Sequence, residues 1–287
     1  MHFNFGNTLR ETGALEDAVE ALRRATVLDP AHISAQTNLT VCLRDLGRLD
    51  EAIDVFDDVI ARDPGYADAR WNRALALLLA GDFTRGWPAY EWRWQATSMA
   101  PRVYEQPLWD GAAPEWRTIF LHAEQGLDCL QFIRYAPLLA AKGAKVVVGC
   151  PPQLVELLQS CAWIAEIVPQ GAPLPKFDLH APLMSRPGLL RTAADRIPAD
   201  TPYLTGPKSV GKTLSAALDA PTPGQSQRHQ KISFVWAGNP DHENDHNRFC
   251  TADYFARLSG IENIALFSLQ KARSRMCLNN CPGRVRS

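Results

Sequence analysis

One period constrains this chain more than any other feature. Asn4, Asn38 and Asn72 stand 34 residues apart, and so do Gly13, Gly47 and Gly81. Asp29-Pro30 returns as Asp63-Pro64. Ala18 returns as Ala52, and Gly86 takes the third place in that series. Each class has a physical meaning. Glycine suits a helix end that needs a positive φ, proline ends a helix, and a small residue lets two helices approach closely. Four position classes on one period predict stacked helical hairpins, none of which can bury its apolar face alone.

Over residues 1–97 this pattern resembles the tetratricopeptide repeat (TPR): about three repeats in an α-solenoid, the first clipped at its start. The third repeat decays in its second helix. Thr97-Ser98 stands where Asp-Pro should recur, after an aromatic cluster of Trp87, Tyr90, Trp92 and Trp94. That cluster either caps the array and docks it on the next domain or offers a carbohydrate-stacking surface. The Asn4, Asn38 and Asn72 series also has two readings. The amides line a peptide groove on the inner face, or each bonds within its own repeat.

Residues 98–117 hold Pro101, Pro107 and Pro114 and no period, and are expected to be a linker packing through Trp109 and Trp116. Apolar β-rich runs come next at 118–121, 145–148, 164–168, 178–183 and 202–205, with helical patterns at 129–141 and 152–160. Alternation of this kind predicts a parallel sheet with helices on its faces, over residues 118–218. A second linker, 219–230, is rich in Pro, Gly, Ser and Gln. Beyond it, strands at 232–236 and 264–268 begin a second α/β lobe, 231–287, that is expected to be incomplete.

Composition removes several functions. Thirty basic and 31 acidic residues give a net charge of −1, which makes no electrostatic case for nucleic acid. No apolar run approaches the ~20 residues of a membrane span. The start lacks the layout of a signal peptide, and the seven cysteines form no CxxC pair. A cytoplasmic protein with reduced thiols and no metal is expected.

Two motif matches lack their structural context. Gly206 to Thr213 fits the phosphate-loop pattern, but Pro202 interrupts the strand before it, and the next strand ends without an acid. His242-Glu243-Asn-Asp-His246 fits H-E-x-x-H, but Asn and Asp there favour a turn over a helix carrying both histidines on one face. A third stretch is more informative. His122, Glu124, Gln125, Gly126 and Asp128 lie between an apolar strand and a helix start. Asp128 is either a general base in a cleft or the cap of the adjoining helix.

The order of the remaining pieces resembles the TPR-linked glycosyltransferases related to family 9, the heptosyltransferase-like group of GT-B fold, similar in architecture to O-GlcNAc transferase. The matching pieces are Trp109-Asp110-Gly111, His122 to Gly126, Gln131-Phe132, Arg134 to Pro137, Phe177 to His180, Pro202 to Leu204, Val235 to Pro240, Asn244-Asp245, Arg248 and Ser268 to Lys271. The resemblance implies a Rossmann-like acceptor lobe, with His122, Glu124, Gln125 and Gly126 in its loop and Asp128 as base. It also implies a donor lobe in which Asn239, Arg248, Gln270 and Lys271 approach the diphosphate of a nucleotide-sugar, with no cofactor. The chain departs from the family pattern in three ways: a glycine is missing before Asp128, Phe249 replaces a small polar residue, and the pattern dissolves after Lys271. The expectation is therefore a sugar transferase to a protein or glycan hydroxyl, impaired by truncation. The alternative is a TPR scaffold for a peptide or protein partner with a catalytically silent α/β part.

Overall fold

The structure, a computed structural model, describes residues 1–96, 102–124, 128–206, 212, 230–235, 250, 255, 257–261, 264–269 and 285–286. Two compact units emerge, Met1–Thr205 and Gly206–Ser287.

Unit one opens with six helices: α1 (His2–Glu11), α2 (Leu15–Leu28), α3 (Ile33–Asp45), α4 (Leu49–Arg62), α5 (Ala67–Leu79) and α6 (Phe83–Tyr90). The three periodic glycines end α1, α3 and α5 with φ of 81°, 75° and 83°. Each forms the same C-terminal lock. Ala14, Arg48 and Asp82 donate their N–H to the carbonyls of Leu9, Leu43 and Leu77 at 2.9, 2.8 and 2.9 Å, the six-to-one bond of a Schellman turn. Acidic residues fill the first turns of α2 and α4, where the helix dipole favours them. The Asp-Pro pairs close each repeat through local turns. Asp29 and Asp63 accept from the N–H of Ala31 and Gly65 at 3.1 and 3.0 Å.

The small residues perform as their positions predict. Ala18 and Ala52 are fully buried, and a Cβ on Gly86 would lie 2.7 Å from Leu78 Cδ2. Pro88 inside α6 removes a backbone donor, and the helix tightens to a 3-10 turn over Glu91–Trp94. The decay of the third repeat is thus a real shortening of its second helix.

The same unit continues as a parallel sheet of β1 (Thr118–His122), β2 (Lys145–Cys150), β3 (Glu166–Pro169) and β4 (Leu179–Pro182), in the order β3-β2-β1-β4. Short helices α7 (Asp128–Phe132), α8 (Ala136–Ala140), α9 (Val155–Leu158) and α10 (Arg186–Leu189) connect and flank the strands. Alternate strand residues serve the two faces. Ile119, Leu121, Val146, Val148 and Ala181 pack with Ile133, Ala136 and Leu139 in the main core. Phe120, Val147, Val168 and Phe177 form the other face, with Tyr104 from the preceding segment laid over them.

Three expectations need correction. Residues 202–205 form no strand; Pro202 has no N–H to give a ladder, and Tyr203 instead donates its hydroxyl to the Leu130 carbonyl at 3.0 Å. The segment before β1 packs through Trp109, which is buried, and not through Trp116, which is 86% exposed. It also does more than link. Trp109 N–H donates to the His180 carbonyl at 2.8 Å, and His180 N–H to the Pro107 carbonyl at 3.2 Å, so this segment covers the outer edge of β4. Finally, His122 is the last residue of β1, not the first of a loop, because it remains in register with Gly149 of β2.

Unit two contains a parallel sheet of β5 (Gln230–Phe234), β6 (Ile264–Ser268) and β7 (Val285–Arg286). The first two strands stand within two residues of their expected places, and β7 is additional. Phe234 and Leu266 form its small core, with Phe255 stacked on Phe234 at 4.4 Å.

Candidate functional site

In a parallel sheet, ligands collect outside the carboxyl ends of the strands where the chain reverses its direction of travel across the sheet. Here the chain passes from β1 to β2 and β3, then returns to place β4 on the other side of β1. The reversal lies between β1 and β4, and the residues past their carboxyl ends are Ala123, Glu124 and Asp128 on one side and Leu183 to Arg186 on the other.

Arg93 enters this place from the helical array. Its side chain is fully buried and donates from Nε and Nη2 to Glu124 Oε2 and Oε1 at 2.9 and 3.0 Å. Nη1 donates to Glu91 Oε1 at 2.8 Å, and Nη2 also reaches Ser185 Oγ at 2.7 Å. Ser185 then donates to Glu91 Oε2 at 3.0 Å, which also accepts from Trp94 Nε1 at 3.1 Å. Burial works against the Arg93 charge, but the Glu124 and Glu91 carboxylates outweigh it and raise its pKa. Burial likewise pushes the Glu124 carboxyl up, with Arg93 opposing. Trp87 meets Phe132 edge-on at 6.1 Å, so the aromatic cluster docks the array on the lobe.

Asp128 begins α7. Its Oδ2 accepts from the Glu124 N–H at 3.1 Å and its Oδ1 from the Cys129 N–H at 2.8 Å. Both oxygens are thus used locally, at a position that also faces the reversal point. His122 is 1% exposed, with Nε2 3.3 Å from His180 Nδ1 and Tyr104 and Phe120 against it. Burial first, then His180 and the cations Arg102, Arg186 and Arg93, push its pKa down to about 3. It is a neutral imidazole at neutral pH.

Arg186 is the residue that sequence reasoning missed most completely. It is fully buried, and Nε, Nη1 and Nη2 have no hydrogen-bond partner among the described residues. Burial lowers its pKa to about 9. The available signal was a lone charge inside the apolar run Leu183 to Leu190. The described cysteines are unpaired thiols, and burial pushes Cys129 up to about 12. Among the described residues no His, Cys, Asp and Glu group could hold a metal, and no helix is long and apolar enough to cross a membrane. Gln125, Gly126, Asn239, Arg248, Gln270 and Lys271 lie outside the described residues, as do His242, His246 and most of the phosphate-loop match.

On the array, successive first helices pack more closely on one another than successive second helices do, which puts α1, α3 and α5 on the inside of the curve. Asn4 is exposed there. Asn38 Nδ2 donates to Asn7 Oδ1 at 2.7 Å. Asn72 Nδ2 donates to the Asp68 carbonyl at 2.9 Å, while its Oδ1 accepts from Arg44 Nη1 at 3.4 Å. Two of the three amides therefore bridge neighbouring repeats, and neither expected reading foresaw that.

A family model described as tetratricopeptide repeat matches residues 3–67 and 43–91. The amino-terminal region consists of tetratricopeptide repeats. Several solved structures are similar over this TPR region. One is the first TPR of Spaghetti (RPAP3) bound to an HSP90 peptide, with 18% identity, TM-score 0.32, and 33% of this chain and 75% of that chain covered. Another is YrrB, a TPR protein with an unusual peptide-binding site, with 24% identity, TM-score 0.33 and coverage of 34% and 51%. A third is MamA from Desulfovibrio magneticus RS-1, with 22% identity, TM-score 0.31 and coverage of 33% and 53%. The chain spans about half the length of the latter two. No curated protein matches it.

Proposed function

We propose that the chain is a protein-binding scaffold whose TPR groove takes an extended segment of a partner. The observation carrying this reading is the TPR match over residues 3–67 and 43–91; Asn4, Asn38 and Asn72 on helices α1, α3 and α5 are the candidate contacts, although Asn38 and Asn72 already spend part of their amides within the array. An amide both donates and accepts, as a peptide backbone does, and TPR arrays bind on their concave surfaces. On α3, Arg44 is paired with Asp45 at 3.0 Å. A peptide selected from a display library on the wild-type chain provides the test. Changing Asn38 and Asn72 to Ala together is expected to weaken that peptide about tenfold or more, through lost hydrogen bonds, with the helical circular dichroism retained. Unchanged affinity rejects the groove.

The second reading is sugar transfer. It is favoured by the position of Asp128 at the carboxyl end of β1, beside the reversal point. In this reading Asp128 takes the proton from an acceptor hydroxyl. The family resemblance assigns the donor diphosphate to Asn239, Arg248, Gln270 and Lys271, which lie outside the described residues; cations in that role would offset its developing charge. Calorimetry with UDP-, GDP- and ADP-sugars separates the two readings. Binding, with transfer that Asp128→Asn removes, favours the enzyme. No binding to any of them rejects it and leaves the scaffold.

A further inference from the structure

Arg93 is engaged more fully than docking alone requires. It stands in the 3-10 turn that ends the array, Glu91–Trp94, with its guanidinium carbon over two rings, 4.6 Å from the centroid of Tyr90 and 4.1 Å from that of Trp94. A guanidinium carries five N–H donors in a rigid fork. Here Nε serves Glu124, Nη1 serves Glu91 and the Tyr90 carbonyl at 3.3 Å, and Nη2 serves Glu124 and Ser185, so every donor is placed. A buried ion pair adds little net stability over apolar packing, and Trp87 on Phe132 already joins the array to the lobe. What a fully engaged fork supplies is fixed geometry.

The fork closes on the residue where the sheet lets go of the chain. Ala123 N–H still donates to the Gly149 carbonyl of β2 at 3.0 Å, but the Glu124 N–H turns to Asp128 Oδ2 at 3.1 Å. At Glu124 side chains take over from the ladder. Its carboxylate is held from two sides, by Arg93 of the array and by the Met184 N–H just past β4, 3.3 Å from Oε1. Holding that carboxylate limits where the Glu124 N–H can lie, and the N–H in turn holds one oxygen of Asp128. We infer that Arg93 is a positioning residue for Asp128: the helical array supplies the side chain that aims this carboxylate at the reversal point of the sheet. The inference rests on the sugar-transfer reading, in which the placement of Asp128 governs proton transfer. It makes the array a part of the lobe's site and not only an attachment to it.

Arg93→Lys is the test, because lysine keeps the charge but carries its donors on a single nitrogen, with no fork. The readout is hydrogen exchange of single amides in the ¹⁵N-labelled full chain. It needs no substrate, so it can fail while nucleotide-sugar binding succeeds, and the reverse. The Glu124 and Cys129 amides both donate to Asp128. In Arg93→Lys they are expected to exchange about tenfold or more faster than in the wild type, with the β1–β2 ladder amides unchanged. Glu124→Gln keeps one acceptor oxygen and is expected to fall between the two; it carries the test if Arg93→Lys does not fold. Unchanged Glu124 exchange in a folded variant would overturn the inference and leave Arg93 a docking contact. Equal acceleration of the ladder amides would also overturn it, since the fork would then act through overall stability alone.

Discussion

Arg186 and His122 are both buried basic residues, and each makes a measurable claim. The Arg186 guanidinium, buried with no hydrogen-bond partner among the described residues, loses its hydration and gains nothing from them in return. Arg186→Leu is therefore expected to stabilise the protein by about 1–4 kcal/mol in urea unfolding; destabilisation would mean that the guanidinium has a partner in solution. His122 acts through pH. Its pKa is pushed down to about 3, whereas in the unfolded chain it titrates near ~6.5. Between these values the unfolded state binds more protons, so stability is complete above about pH 6.5 and falls as pH is lowered, by roughly 1.4 kcal/mol per unit. Glu124, shifted upward, acts in the opposite sense at lower pH. Comparing the wild type with His122→Phe isolates the His122 contribution. The substitution is expected to flatten the slope of unfolding free energy between about pH 6.5 and 4; an unchanged slope would show that His122 does not stay neutral. Neither residue's burial was legible in the sequence. Periodicity reports local geometry, but an isolated charge in an apolar run does not reveal what surrounds it.

At the scale of elements the sequence was far more legible, because each repeat boundary rests on local chemistry. Gly13, Gly47 and Gly81 mark three identical helix ends, and Asp29 and Asp63 two identical turns. Strands β1, β2, β3 and β4 were also visible, as apolar runs stiff in β-branched residues or closed by proline. What failed was decided by backbone donors or by distant partners. Pro202 spoiled a run that otherwise read as a strand, and the pairing of residues 107–109 with β4 had no local signal. Gly86 offers a test of the close helix approach. Alanine normally favours a helix interior over glycine by about 0.5–1 kcal/mol, but its Cβ would press on Leu78. Gly86→Ala is expected to lower the melting temperature through overpacking, worth about 1–3 kcal/mol; a rise would mean that α5 and α6 separate freely.

For unit one as a whole, the array and the lobe are joined by a buried charge network in which Arg93 of the array meets Glu124 of the lobe. The TPR region supplies Arg93, Glu91 and Trp94, and the lobe supplies Glu124 and Ser185, so the end of the third repeat is shaped by the surface it docks on. The scaffold reading depends instead on the face of the array formed by α1, α3 and α5. Hydrogen–deuterium exchange with a display-selected peptide tests it most directly, because backbone protection reports where the peptide lies. Slowed exchange is expected on α1, α3 and α5. Protection confined to α2, α4 and α6, or to the sheet of the lobe, would contradict the assignment.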